Sequence, residues 1–166
     1  NFIKEKKVDV STDICGIMLE TFQGWAGLFY PNEFIKAVNQ FAKKNNILIS
    51  FDEIQAGFGR TGKLFGYMHY EIIPDLICCG KGITSSLPLA AVLGSKEIMD
   101  LPEFGSMSST HSANPLGCIA GLENMKEIIE KKIIENSRTM GILLHNRLNK
   151  IKERFPNHLK YVFGNG

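Results

Sequence analysis

The sequence predicts an α/β fold built on a mostly parallel sheet, and three observations carry that prediction. The first is a strand-helix-strand order: an apolar run over residues 14–19, a helical pattern over 31–44 and a second apolar run over 47–51. A crossover of that kind makes its two strands parallel. The second is the placement of charge. ILISFDEIQ ends its apolar run on Asp52 and PDLICCGKG ends its own on Lys81, and in open α/β sheets ligands sit in the crevice outside the carboxyl ends of the strands. The third is composition, 44% hydrophobic and 22% charged over 166 residues, ordinary for a globular chain able to bury one sizeable core.

Taken in order, residues 14–19 read as a buried strand, with Glu20 at its carboxyl end as Asp52 is at the end of 47–51. The helix 31–44 places Phe34, Ile35, Val38, Phe41 and Ala42 on one side and closes at Asn45 and Asn46. After a long loop, 75–79 forms another strand. Only the eight residues 81–88 lie between Gly80 and the next run, 89–94, whereas a parallel crossover needs about a dozen. The spacing therefore predicts an antiparallel last strand. Asn114 and Pro115 then start a helix, because asparagine caps the free amides and proline at the first helical position gives up no hydrogen bond. Cys118, Leu122, Met125 and Ile129 mark its apolar stripe. A second amphipathic helix over 137–154 carries Met140, Leu144, Leu148 and Ile151, with Phe155 just beyond.

Charge and cysteine usage narrow the class. The 19 basic and 17 acidic residues are interspersed and leave a net charge of +2, which makes no nucleic-acid footprint. Cys15, Cys78, Cys79 and Cys118 show no C-x-x-C spacing, so they read as buried reduced thiols, and a reducing, cytoplasmic location is expected. The longest apolar stretch, 87–93, is too short to span a bilayer, and the first residues, NFIKEKK, are charged, so neither a signal peptide nor a membrane anchor is read from these residues. No membrane association and no metal site are expected.

An acid and a lysine on two strand ends match the needs of pyridoxal phosphate. Its aldehyde is held as a Schiff base by a lysine amine, and a carboxylate opposite the ring nitrogen keeps the pyridinium protonated so that it acts as an electron sink. Lys81 and Asp52 are the candidates for those two roles, and as a freed amine Lys81 is also the candidate base for proton transfer at the substrate Cα. For a single lysine or aspartate, a solvated surface charge or a strand cap is the commoner role.

The segments FDEIQAGFGRTGKLF, PDLICCGKGITSSLPLAAVLGS and STHSANPLGC, with a weaker ETFQG upstream, resemble the class III aminotransferases, pyridoxal-phosphate enzymes of the aspartate-aminotransferase fold. The resemblance implies a sheet with helices on both faces. Residues 1–135 would be part of the cofactor-binding large domain, and 136–166 a helix leading into a smaller C-terminal α+β domain. It implies that Asp52 pairs with the ring nitrogen, Ile54 packs under the ring and Gln55 bonds the phenolic oxygen, with Glu53 structural. Thr110, assisted by Ser109, would serve the cofactor phosphate of a neighbouring subunit, so that the active site is shared across a homodimer. Glu20 resembles the glutamate that pairs with a substrate-site arginine, although the family usually has proline where this chain has Thr21. Family subunits are far longer, so the chain is expected to be incomplete, with the phosphate-binding turn before Asn1 and the substrate arginine after Gly166. Taken alone it is expected to be a poor catalyst. The implied reaction moves an amino group from an amino acid or amine, of the ω-amino kind, to a 2-oxo acid. Aminomutase and decarboxylase chemistry on the same Asp and Lys stays open.

A rival reading is a nucleotide-binding module. Gly57, Gly59 and Gly62 match G-x-G-x-x-G after a strand, and Lys63 nearly completes a phosphate loop. Leu64, however, stands where the phosphate loop needs Ser or Thr, and the aromatic 64–70 stretch with Gly66 inside it makes a poor first helix. A structural turn beside the site is the reading kept.

Overall fold

Four strands form the main sheet of the computed structural model, which describes residues 2–166. They are β1 (Gly16–Glu20), β4 (Leu48–Asp52), β5 (Leu76–Cys79) and β6 (Ala91–Gly94), in that spatial order. β1, β4 and β5 are parallel and β6 is antiparallel to β5, as the short connection requires. Each of the first two strands extends one residue beyond the apolar run, so Glu20 and Asp52 are the last residues of their strands and stand side by side in register. A two-stranded ribbon, β2 (Phe22–Gln23) with β3 (Leu28–Phe29), comes directly after β1.

Short helices α1 (Phe2–Glu5) and α2 (Val10–Asp13) precede the sheet, the latter capped by Asp9, whose carboxylate accepts from the Ser11 amide. The crossover helix α3 (Asn32–Lys44) starts after Pro31 and buries Ile35 and Ala42. Asn46 takes a left-handed φ of 53° to turn the chain into β4, a conformation asparagine tolerates better than most residues. Ile35 and Ala42 pack with Ile49, Phe51, Tyr70 and Ile72, and a second cluster joins Phe65, Cys79 and Ile83. The strand period and the register place Ile49, Phe51, Ile77 and Cys79 on one face of the sheet. The opposite face carries Asp52 and is more open, with Met18 57% and Val92 48% exposed. Cover by helices and loops is therefore uneven across the two faces.

After α4 (Lys96–Met99) come α5 (Pro115–Glu130) and α6 (Ile133–Arg154). Asn114 caps α5 as expected, its Oδ1 accepting from the Leu116 amide at 3.0 Å. The inward face of α5 differs from the expected stripe. Gly117, Gly121 and Ile128 are buried, while Leu122, Met125 and Ile129 are exposed. The cause is close packing: a Cβ on Gly121 would lie 3.0 Å from Leu89 Cδ2 and 3.5 Å from the Ile83 carbonyl. α6 starts four residues earlier than its pattern and likewise turns Gly141 inward and Met140, Leu144 and Ile151 outward.

Candidate active site

Asp52, Lys81, Gln55 and Ile54 come together at the carboxyl ends of β4 and β5. The Asp52 carboxylate accepts from the Ile54 amide at 2.9 Å, a local turn that re-aims the chain immediately after the strand. Ile54 then lies against Gly80, where a Cβ would approach its Cγ2 to 3.1 Å. Lys81 comes just after β5 and donates from Nζ to Gln55 Oε1 at 3.5 Å. A cavity of about 460 Å³ is lined by Gln55, Lys81, Phe22, Arg60, Thr61, Gly82 and Asn165.

The backbone of Lys81 is in the left-handed region, with φ at 38°. For a non-glycine residue this conformation costs on the order of 1–3 kcal/mol and persists only where the surroundings over-determine it. They do so here. The turn Lys81–Ile83 is closed by the Ile83 amide on the Gly80 carbonyl at 3.0 Å and the Ser85 amide on the Lys81 carbonyl at 3.1 Å. Asn124 of α5 adds its Nδ2, donating to the carbonyls of Gly82 at 2.9 Å and Ile83 at 3.2 Å. Sequence reasoning did not find Asn124. Its only local sign was a polar residue among the small ones that α5 buries.

Glu53 also proved more than a neighbour of Asp52. It is fully buried, and its carboxylate accepts from the Thr21 hydroxyl, the Gly66 amide and the Tyr67 amide, each at 2.7 Å. Burial pushes its carboxyl up from the ordinary value, against the pull of those three hydrogen bonds, with the Asp52 charge adding to the rise. Glycine is needed at 66 because a Cβ there would come within 2.6 Å of Thr21 Oγ1. Thr21, where the family pattern usually has proline, thus contributes a buried hydroxyl.

Glu20 turns its carboxylate to the Gly24 amide at 3.2 Å. Ser109 and Thr110 are not brought to Lys81 by this chain. They lie in an exposed turn in which the Ser109 hydroxyl bonds Ser112 Oγ at 3.0 Å. The glycine loop behaves as a packing element. Cβ atoms on Gly59 and Gly62 would meet Ile134 and Arg138 of α6 at 3.1 and 3.0 Å, and Lys63 is spent on the Met68 carbonyl at 2.8 Å. Gly66–His69 is a 3-10 turn, so no helix opens on the loop to receive a phosphate.

Comparison with known proteins places the chain in a family. The class-III aminotransferase family model matches residues 2–166. The chain belongs to that family. It is 36% identical over 156 residues to acetylornithine aminotransferase of Shewanella oneidensis, covering 93% of this chain and 38% of that protein. It is 37% identical over 150 residues to 4-aminobutyrate aminotransferase of Mycobacterium leprae, covering 90% and 33%. Among solved structures, a Bacillus anthracis aminotransferase superposes with a TM-score of 0.85 at 33% identity over 99% of this chain and 38% of its own. An S-selective transaminase from Arthrobacter sp. with alanine bound gives 0.82 at 32% identity over 92% and 33%. The chain therefore spans between a third and two fifths of these relatives' lengths. Members of the family depend on pyridoxal phosphate, and these similarities do not favour the nucleotide-binding alternative.

Proposed function

We propose that the protein to which this chain belongs is a transaminase that moves an amino group from an ω-amino acid or amine to a 2-oxo acid with pyridoxal phosphate. The observation that carries the reading is the Lys81 amine on Gln55, at 3.5 Å, at a sheet end that also bears Asp52. An amine, an acid and an amide on adjoining strand ends fit that cofactor's aldehyde, ring nitrogen and phenolic oxygen. When bound, pyridoxal phosphate supplies an electrophilic carbon and an electron sink for charge developing at the substrate Cα.

Lys81 would hold the group covalently through its amine and, once freed, take up and return the proton at the substrate Cα. Asp52 would keep the ring nitrogen protonated, Ile54 would pack beneath the ring and Gln55 would bond the phenolic oxygen. Glu20, beside Asp52 in register, would face the substrate. Thr110 and Ser109 would reach the phosphate of a second subunit in a homodimer. Their segment presents Leu101, Phe104 and Met107 to solvent, apolar surface of the kind that marks an interface. Residues 1–135 would belong to the cofactor-binding domain and 136–166 would lead into a smaller one.

Among the described residues no helix is long and apolar enough to cross a membrane. A cytoplasmic setting is supported by four unpaired cysteines. Contrary to expectation only Cys79 is buried, its thiol pushed up to about 11 by desolvation, while Cys78 is half-buried and Cys15 and Cys118, at the edge of the sheet and on the outward side of α5, are exposed. The test is borohydride reduction of the cofactor-loaded full-length protein followed by peptide mapping. A pyridoxyl adduct on Lys81 is expected, and an adduct on another lysine, or none, overturns the assignment.

A further inference from the structure

The deepest polar cluster outside the residues assigned to the cofactor is the pair Thr21 and Glu53. Both are fully buried, and the Thr21 hydroxyl donates to the Glu53 carboxylate at 2.7 Å. Each comes immediately after one member of the register pair formed by Glu20 and Asp52. The backbone ladder between β1 and β4 stops at that pair, and the side-chain bond continues the tie one residue further. Thr21 is held a second time, by the Tyr70 hydroxyl donating to its carbonyl at 2.9 Å. Glu53 is held at its amide by the Cys78 carbonyl at 2.9 Å.

The segment that begins at Thr21 and runs through β2 to Gly24 reaches the candidate site. Gly24 gives its amide to Glu20, and the Gln55 side chain lies directly against the Gly24 backbone, so closely that a Cβ at Gly24 would overlap the Gln55 amide group. Gln55 in turn accepts from Lys81. A continuous path therefore runs from the buried bond, through the 21–24 segment, to Gln55 and the lysine.

We propose that the Thr21–Glu53 hydrogen bond positions the candidate site, holding the 21–24 segment as the wall that keeps Gln55 on Lys81 and Glu20 beside Asp52. This rests on the reading of Lys81, Asp52 and Gln55 as the cofactor site. Thr21 and Glu53 touch neither cofactor nor substrate in this scheme and act through Gln55 and Glu20.

The experiment uses the full-length protein loaded with pyridoxal phosphate and two variants. Thr21→Val removes the donor at nearly constant volume, and Thr21→Ser keeps it. Amide exchange at Gly24, the visible absorption of the bound cofactor, kcat and KM are measured on each. Thr21→Val is expected to speed exchange at Gly24, shift the absorption band and lower kcat about tenfold, the scale of a small misplacement of reacting groups. Thr21→Ser is expected to restore all three. A Thr21→Val protein with lowered melting temperature but wild-type exchange at Gly24, absorption and kcat overturns the proposal, since the bond would then serve stability alone. If Thr21→Val does not fold, Thr21→Ala takes its place with the same two outcomes. Absence of cofactor on Lys81 in the wild type overturns the site reading instead, and the exchange result separates that failure from failure of the buried bond.

Discussion

The sheet end around Asp52 and the stretch from residue 100 to 166 are built on opposite terms. Around the sheet end the largest fully buried side chains are Phe51, Ile35, Glu53 and Thr21, and the polar ones among them are hydrogen-bonded. In the later stretch residues 100–114 are exposed throughout, and α5 and α6 bury mainly glycines, with Ile128. The chain itself supplies the geometry of the first region. The second turns Ile119, Leu122, Ile129 and Leu144 to solvent, apolar surface of the kind that folded proteins cover with other chain or a partner.

The largest effect expected from breaking the first region is chemical. Lys81→Ala in the full-length protein should abolish covalent cofactor attachment and lower transamination by roughly 10²- to 10⁴-fold, the range a positioned proton-transfer group supplies. Retained borohydride-trappable cofactor in that variant would contradict the assignment. Phe51→Ala should destabilise the fold by about 3–5 kcal/mol, because a buried aromatic leaves a cavity that cannot fully collapse, as read by chemical denaturation. Asp52→Asn should leave the cofactor attached but lower kcat more than tenfold, since a neutral amide no longer keeps the ring proton. A loss within about threefold, under ~1 kcal/mol, would remove the ring-nitrogen role.

Two smaller effects sharpen the contrast. Ile119→Ser combined with Leu122→Ser in the 166-residue chain should change its unfolding free energy by no more than about 0.5 kcal/mol while reducing self-association in sedimentation velocity. A large destabilisation would show that this face is covered within the chain. The smallest effect concerns His69, whose ring nitrogen meets the Thr61 carbonyl at 3.1 Å. Burial, reinforced by the Lys63 charge and opposed by the Thr61 hydrogen bond, holds it below its ordinary 6.5. Folded protein then keeps the ring neutral where the unfolded chain takes up a proton. Its contribution is present above pH 6.5 and is lost as pH falls below that value toward the folded one. His69→Gln should flatten the decline of stability on acidification. An unchanged slope would remove His69 from that role.

Much of this was legible in the linear chain. Short apolar runs ending in Asp52 and Lys81 located the strand ends, the brief 81–88 connection set β6 antiparallel, and Asn114 with Pro115 marked the start of α5. These are local signals: strand period, loop length and capping depend on neighbours in sequence. Tertiary structure alone decided three things. Glu53 is a buried hub because Thr21 lies 32 residues before it and the Gly66 and Tyr67 amides 13 and 14 after, and no periodicity encodes such a meeting. α5 turns Gly121 inward where a Cβ would press to 3.0 Å on Leu89 Cδ2, so hydrophobic period points to the wrong face. Asn124 reaches the Lys81 turn from 41 and 42 residues away, where its polar character finds carbonyls that only the folded chain brings within range.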